Sequence, residues 1–357
     1  MNDIKIRSCC ELDPQQWDCF VRGHPNGEVF HTTAFFNALS ETPGHQPQFL
    51  AAVEEGKDGV AIVALLAAVR VTVGPVFTNW TTRSLMYAEP IFADSEVGRY
   101  ALQLLIQHHD QVVAKFSLFS EIRAVNVPGE EKQILEEFGY KYLEYYNYLQ
   151  DLRGGMQQVE ATTPKVRRKV ESAMRKGARV IRCAPANEKC IGMAYEVIAE
   201  SYRRARVPLA DFQLFSRTAA FLGKDLSVRL LEYGGSVVAS SIGLVYKNRF
   251  FAWYNGTLRP ADLPASSAVL VWDEMTEACE RGLTQYDFGG AGWPDEDYGP
   301  RTFKARFKGQ LVNYGRYRKV SSRLRLQVAR AGYRLLRGAI SPSPTAYQPR
   351  SERHVVS

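Results

Sequence analysis

Residues 223–257 read GKDLSVRLLEYGGSVVASSIGLVYKNRFFAWYNGT. Three runs rich in strand-forming residues, 227–233, 237–247 and 250–257, are separated by Gly234-Gly235 and by Asn248. Turn residues spaced this way between β-branched and aromatic runs predict a meander of three strands. A helix over 266–281 follows, with Val269, Trp272, Met275 and Cys279 as an apolar stripe that reads as core. A short strand, Gln285-Tyr286-Asp287-Phe288, then opens into residues 287–309, DFGGAGWPDEDYGPRTFKARFKG. This segment runs through Gly289, Gly290, Gly292 and Gly299 and closes on Arg301, Lys304, Arg306 and Lys308. Glycines let a backbone turn tightly or approach a ligand, so a glycine-rich, charge-bearing loop at a strand end is the first candidate site. An ordinary solvated loop would carry the same charges.

Working outward, helices are expected over 163–176, 188–206 and 212–222, and a last strand over 311–318. The first half repeats this order. Helices near 14–21 and 33–39 precede strands at 49–53, 60–71 and 84–87, then a helix over 95–113, a strand at 118–124, a helix at 130–138 and a strand at 146–152. The pattern predicts two similar α/β domains in tandem, with the boundary between 151 and 163, where Gly154-Gly155 interrupts it.

The chain has 357 residues, of which 45% are hydrophobic, enough for two cores. Charge is unevenly placed. Residues 1–150 hold 11 Lys/Arg and 19 Asp/Glu, net −8, whereas residues 151–357 hold 34 and 19, net +15. An anionic partner is therefore expected on the C-terminal half. Residues 165–182 concentrate Lys165, Arg167, Arg168, Lys169, Arg175, Lys176, Arg179 and Arg182 against Glu171 alone, which suits a phosphate-rich ligand such as tRNA or a pyrophosphate-linked precursor. Tyr202, Arg203, Arg204 and Arg206 could complete such a site.

The six cysteines form no C-x-x-C pair and fit a reducing cytosol, and the six histidines include no i, i+4 pair, so no metal is expected. No cationic start followed by an apolar stretch opens the chain, and the longest apolar run spans ten residues against the ~20 a spanning helix needs. From Arg316 to Arg337 there are eight Arg/Lys and no acid, with Leu324, Val328, Ala331 and Leu335 at helical spacing. Such a helix could lie on an anionic membrane face or dock on the domain, and the Pro/Ser-rich residues 341–357 read as disordered.

Taken together, residues 223–257, the helix from Ser266, YDFGG and TFKARFKG resemble the Fem-type (FemA/FemB/FemX-like) acyltransferases. The basic segment from Thr163-Pro164 to Lys176-Gly177 resembles the family as well, and Phe30-His31-Thr32-Thr33 does so more faintly. The resemblance covers about residues 20–320 and implies two tandem GNAT-like domains with mixed central sheets. These would span 1–152 and 153–320, with a basic helix and tail over 321–357. It further implies transfer of an acyl or aminoacyl group to an amine of a cell-envelope precursor of the peptidoglycan type. The donor would be aminoacyl-tRNA, with acyl-CoA as the alternative and no cofactor of its own, and the setting cytoplasmic or peripheral at the inner membrane face. The family's loop lysine maps onto Lys304 and an aromatic substrate contact onto Tyr254, while Asp287 opens the Asp-Phe-Gly signature and could hold the loop. Two departures stand out. The long helical arm of some bridge enzymes is missing, and residues 259–265, which lead into the Ser266 helix, lack the glycine turn that cradles coenzyme A pyrophosphate.

Chemically, aminolysis of an activated ester passes through an oxyanion that a fixed cation stabilises, and Lys304 is the expected cation. With Arg301 and Arg306 it could instead bind phosphates. Asp295, Glu296 and Asp297 are candidate bases for the attacking amine. Other readings of the same residues are an acyl-CoA-dependent N- or O-acyltransferase for a polysaccharide or small molecule, and an inactive GNAT-like binding module.

Overall fold

The structure, a computed structural model, describes residues 4–56, 59–72, 78–259, 263–329 and 331. Two mixed sheets carry the strands. The first contains β1 (Ile4–Ser8), β2 (His45–Gly56), β3 (Gly59–Thr72), β4 (Thr82–Met86), β5 (Ile91–Phe92), β6 (Phe119–Arg123), β7 (Lys141–Leu143) and β15 (Arg316–Val320). The second contains β8 (Tyr146–Asp151), β9 (Arg179–Cys183), β10 (Leu226–Tyr233), β11 (Ser236–Tyr246), β12 (Arg249–Thr257), β13 (Gln285–Gly290) and β14 (Gln310–Asn313). Helices α1 (Pro14–Gly23), α2 (Thr33–Ser40), α3 (Thr78–Thr81), α4 (Glu96–Val113) and α5 (Glu130–Glu137) belong to the first half. Helices α6 (Gly155–Thr162), α7 (Pro164–Arg175), α8 (Glu188–Ala205), α9 (Phe212–Leu222), α10 (Ser266–Glu280) and α11 (Gly299–Ala305) belong to the second.

The expected meander is present as β10-β11-β12, antiparallel throughout, and β12 then pairs parallel with β13 after the α10 crossover. The first half repeats the arrangement with β2-β3-β4 antiparallel and β6 parallel to β4. Two tandem α/β units follow from this repetition.

The boundary at 152/153 needs correcting at two strands. β8, which ends the first half, inserts between β13 and β14 of the second sheet, while β15 returns to the first sheet between β6 and β7. The single strand expected over 311–318 is thus two strands serving different sheets. Gly315 is the cause: it adopts φ +76°, and a Cβ there would lie 2.1 Å from the Tyr142 ring. A side chain would both strain that turn and collide with the ring.

The two halves also share a core, which contains Phe49, Ala51 and Leu65 of the first sheet and Val228, Leu230 and Ile242 of the second. Phe30 meets Phe251 edge-to-face at 5.3 Å and Phe35 meets Trp253 at 6.3 Å. His31, fully buried, accepts from Glu28 N–H at Nδ1 (3.0 Å) and faces Glu89 O at 2.8 Å, and burial draws its pKa down to about 4. Thr32 caps α2 by accepting from Phe35 N–H. The Phe30-His31-Thr32-Thr33 motif is therefore a joint between the halves.

Two smaller differences concern the cysteines and the tail. Cys183 and Cys190 are joined by a disulfide across the β9–α8 turn, where free thiols were expected. Residues 316–320 of the expected basic helix are strand β15, and helix begins only at Arg323. Leu326 is buried there, whereas Leu324 and Val328 are 71% and 48% exposed. Leu335 and the expected disordered tail lie outside the described residues. No helix among the described residues is long and apolar enough to cross a membrane.

Candidate functional site

β12 and β13 pair only over Arg249–Phe251 with Gln285–Asp287 and then part. Parting parallel strands leave backbone groups without partners, a natural place for a ligand. A cleft of about 2450 Å³ opens there, and it is lined by residues of both sheets together with α7, α8 and α10. Among the described residues, eleven Lys/Arg and three Asp/Glu line it, so its field favours anions.

The Asp287 loop forms one wall. Asp287 is fully buried; its Oδ1 accepts from Gly289 N–H at 2.7 Å, and Gly289 takes φ +69°. This turn breaks the β13–β8 register between Asp287 and Gly290. It also aims the carbonyls of Phe288, Gly289 and Gly290 at Lys304, whose Nζ donates to them at 2.6, 3.1 and 2.7 Å. An ammonium has three donors, so all three are engaged. Lys304 therefore sits behind the loop with its protons given to backbone, and its charge lies beside the cleft that it lines. Burial draws its pKa down to about 8 despite the Asp287 charge beside it.

Arg301 is likewise turned inward to backbone. Its Nε donates to Ala291 O at 2.7 Å, Nη1 to Pro294 O at 3.1 Å and Nη2 to Trp293 O. Arg301 does not line the cleft, and three of its five donors go to the open carbonyls of the glycine-rich turn rather than to the phosphate expected of it. Of the candidate bases, Asp295 and Asp297 are exposed, Glu296 accepts from Trp293 N–H at 3.4 Å, and none lines the cleft.

Tyr254, Tyr202, Lys165 and Arg306 do line it. The Tyr254 ring packs on Phe215 (4.8 Å), Trp253 (4.9 Å) and Tyr202 (5.9 Å). Burial raises the Tyr254 phenol well above its ordinary range and that of Tyr202 to about 12, so both are neutral donors. Helix α7 buries Val166, Val170 and Ala173 and turns Lys165, Lys169, Ser172 and Lys176 to the cleft, a face at i, i+4, i+7 and i+11. Arg168 and Arg203 lie outside the cleft lining. Arg168 is exposed beside Pro164 O, and Arg203 pairs with Glu200 at 2.9 Å on the solvent side of α8. Helical geometry separates them, because one residue's step rotates a side chain by ~100°.

The sequence reading missed the cleft's other wall: Arg83, Glu121 and Arg123 of the first sheet with Arg316 and Arg318 of β15. Alternation was the available signal, since Glu121-Ile122-Arg123 and Arg316-Tyr317-Arg318 each place charges two apart around a core residue. Among the described residues no group of His, Cys, Asp and Glu could hold a metal.

Residues 164–304 match the family described as acetyltransferase (GNAT) domain. No curated protein matches the chain in sequence. FemX has a similar structure, with a TM-score of 0.65 at 14% identity over 93% of this chain and 99% of that one. The C-terminal domain (DUF2156) of a putative lysylphosphatidylglycerol synthetase from Agrobacterium fabrum gives 0.56 at 14% over 90% and 96%. A tandem GNAT protein from the clavulanic acid biosynthesis pathway gives 0.58 at 8% over 90% and 99%. The expected fold is thus observed: the chain has a tandem GNAT fold like that of FemX, and residues 164–304 of its second half match the acetyltransferase (GNAT) domain family.

Proposed function

We propose that this chain, built on the Fem-type tandem GNAT fold, moves an acyl or aminoacyl group onto an amine of a phosphate-bearing cell-envelope precursor of the peptidoglycan type. The observation that carries the reading is the basic cleft into which β12 and β13 part, with the Lys304-clamped loop on one side. The parted strands offer backbone donors to the acyl carbonyl, and Lys304 adds positive charge behind it. Tyr254 and Tyr202, neutral phenols, position the acceptor by hydrogen bonding. The relatives' own descriptions support the transfer of aminoacyl groups: one is FemX and another a putative lysylphosphatidylglycerol synthetase. Aminoacyl-tRNA is the donor in this reading, and the exposed Leu324 and Val328 suit peripheral membrane contact.

One observation favours a second donor. Helix α10 begins at the cleft with no side-chain cap; its Ser266 and Ala268 amides bond Leu263 O and Ala265 O, which leaves the Ser267 amide and the helix dipole to meet a coenzyme A phosphate.

The test is incubation of the protein with a nucleotide-linked or lipid-linked cell-wall pentapeptide and either an aminoacyl-tRNA pool or an acyl-CoA pool, with product mass as the readout. An aminoacyl mass increase from the tRNA pool is expected. Gain from acyl-CoA alone would replace the donor, and gain from neither would overturn the reading.

A further inference from the structure

Tyr317 and Ile122 point into the core of the first sheet, so their neighbours on β15 and β6 point the other way, into the cleft. The register sets Arg316 opposite Arg123 and Arg318 opposite Glu121. On β4, Leu85 stands opposite Glu121, which puts Arg83, two residues before it, on the same face. Four guanidiniums and one carboxylate thus share one wall.

Their pairing is lopsided. Glu121, 4% exposed, accepts from Arg123 Nε (3.1 Å), Arg316 Nη1 (3.4 Å), Arg318 Nε (3.2 Å) and Arg318 Nη2. Three guanidiniums carry about fifteen N–H donors, and Glu121 takes four of them. Among the described residues Arg83 makes no ion pair, and its Nε is buried without a hydrogen-bond partner. One carboxylate leaves an excess of about three positive charges, which a sheet face has no structural reason to collect. Aromatic rings hold the cations in place: Arg316 lies 3.7 Å over Tyr145 and Arg123 5.8 Å over Tyr87.

We infer that Arg83, Arg123, Arg316 and Arg318 form the binding site for a diphosphate group of the acceptor, with Glu121 as the residue that positions them. The inference rests on the proposed function for the nature of the cleft. Guanidinium forks match phosphate oxygens, and a diphosphate ester brings about two negative charges and several acceptors, where a carboxylate brings one charge and two oxygens. The site adjoins the Lys304 loop at one end, where Arg316 also lies 5.6 Å over Trp293, so a phosphate held there would stand next to the loop. Nucleotide-linked and lipid-linked precursors share this diphosphate.

The test is a calorimetric titration of the full chain with inorganic pyrophosphate, UDP and farnesyl diphosphate, with acetate as control, in wild type and Arg83→Gln. Arg83 has no structural ion pair among the described residues, so this variant should fold, and its unfolding midpoint checks that. Pyrophosphate is expected to bind, and Arg83→Gln to weaken it by about tenfold. Tighter binding of UDP than of pyrophosphate would assign the nucleotide-linked source, and tighter binding of farnesyl diphosphate the lipid-linked one. Absence of pyrophosphate binding, or equal binding by Arg83→Gln and by a Lys165→Gln/Lys169→Gln control, would overturn the site. Because binding is read without turnover, diphosphate binding through Arg83 with no transfer to any acceptor would reject the transferase reading and leave this site standing.

Discussion

Replacing Lys304 with methionine should lower turnover by about a hundredfold or more and reduce stability as well, by roughly 3 kcal/mol. Methionine fills similar space but leaves the carbonyls of Phe288, Gly289 and Gly290 without the donor they share. Each charge-assisted bond contributes roughly 1.5–3 kcal/mol, and the orphaned groups recover part of that from water as the loop loosens. Loosening is what removes activity, since a shift of about 1 Å in a positioned group costs on the order of a hundredfold. Lys304→Arg keeps the charge, but a planar fork cannot meet three carbonyls converging on one point, so it should recover part of the stability and little of the rate. The pH profile adds a sign. With a pKa near 8, Lys304 loses its proton as pH rises through 8, and a neutral amine has two N–H groups for three carbonyls. Turnover should therefore fall across that range, and a rise would make Lys304 a base. Full activity in Lys304→Met would remove it from the mechanism.

This loop also shows what the sequence could and could not convey. The meander, the α7 and α10 helices and the DFGG turn were legible because periodicity and turn residues are local signals. Lys304 and Arg301 were legible as cations near a strand end, but nothing local says whether a cation faces a ligand or its own backbone. Only the path of the turn decides that, through the open carbonyls it creates. The first-sheet arginines were hidden for a different reason. The first half is net acidic, which directed attention to the second, and two of the four arginines reach the first sheet only because Gly315 redirects the chain. The run LVNYGRYRKV reads as one strand until the partner of each end is known. Strand exchange is a long-range fact, and no short-range pattern encodes it.

Asp287→Ala should be the most destabilising single change in the second half, by roughly 3–5 kcal/mol measured from denaturant unfolding. The carboxylate has two tasks. Its Oδ1 accepts from Gly289 N–H and fixes the turn, and its Oδ2 lies 4.0 Å from Arg249, which also pairs with Glu28 at 3.0 Å and donates to Val125 O at 2.9 Å and Asn126 Oδ1 at 3.1 Å. Burial raises the Asp287 pKa and Arg249 opposes that, so an appreciable part of its folded-state charge depends on this cation. Removing it leaves Arg249 and Lys304 with less anionic compensation at the joint between the two halves. Asp287→Asn retains the acceptor for Gly289 and loses only the charge, so it should cost about half as much. Because Asp287 sets the turn that Lys304 clamps, Asp287→Ala combined with Lys304→Met should cost less than the two single losses added together. Independent sites add to within about 0.5 kcal/mol; a double variant that did so would mean that turn and clamp are separate devices, and the account of the loop as one unit would fall.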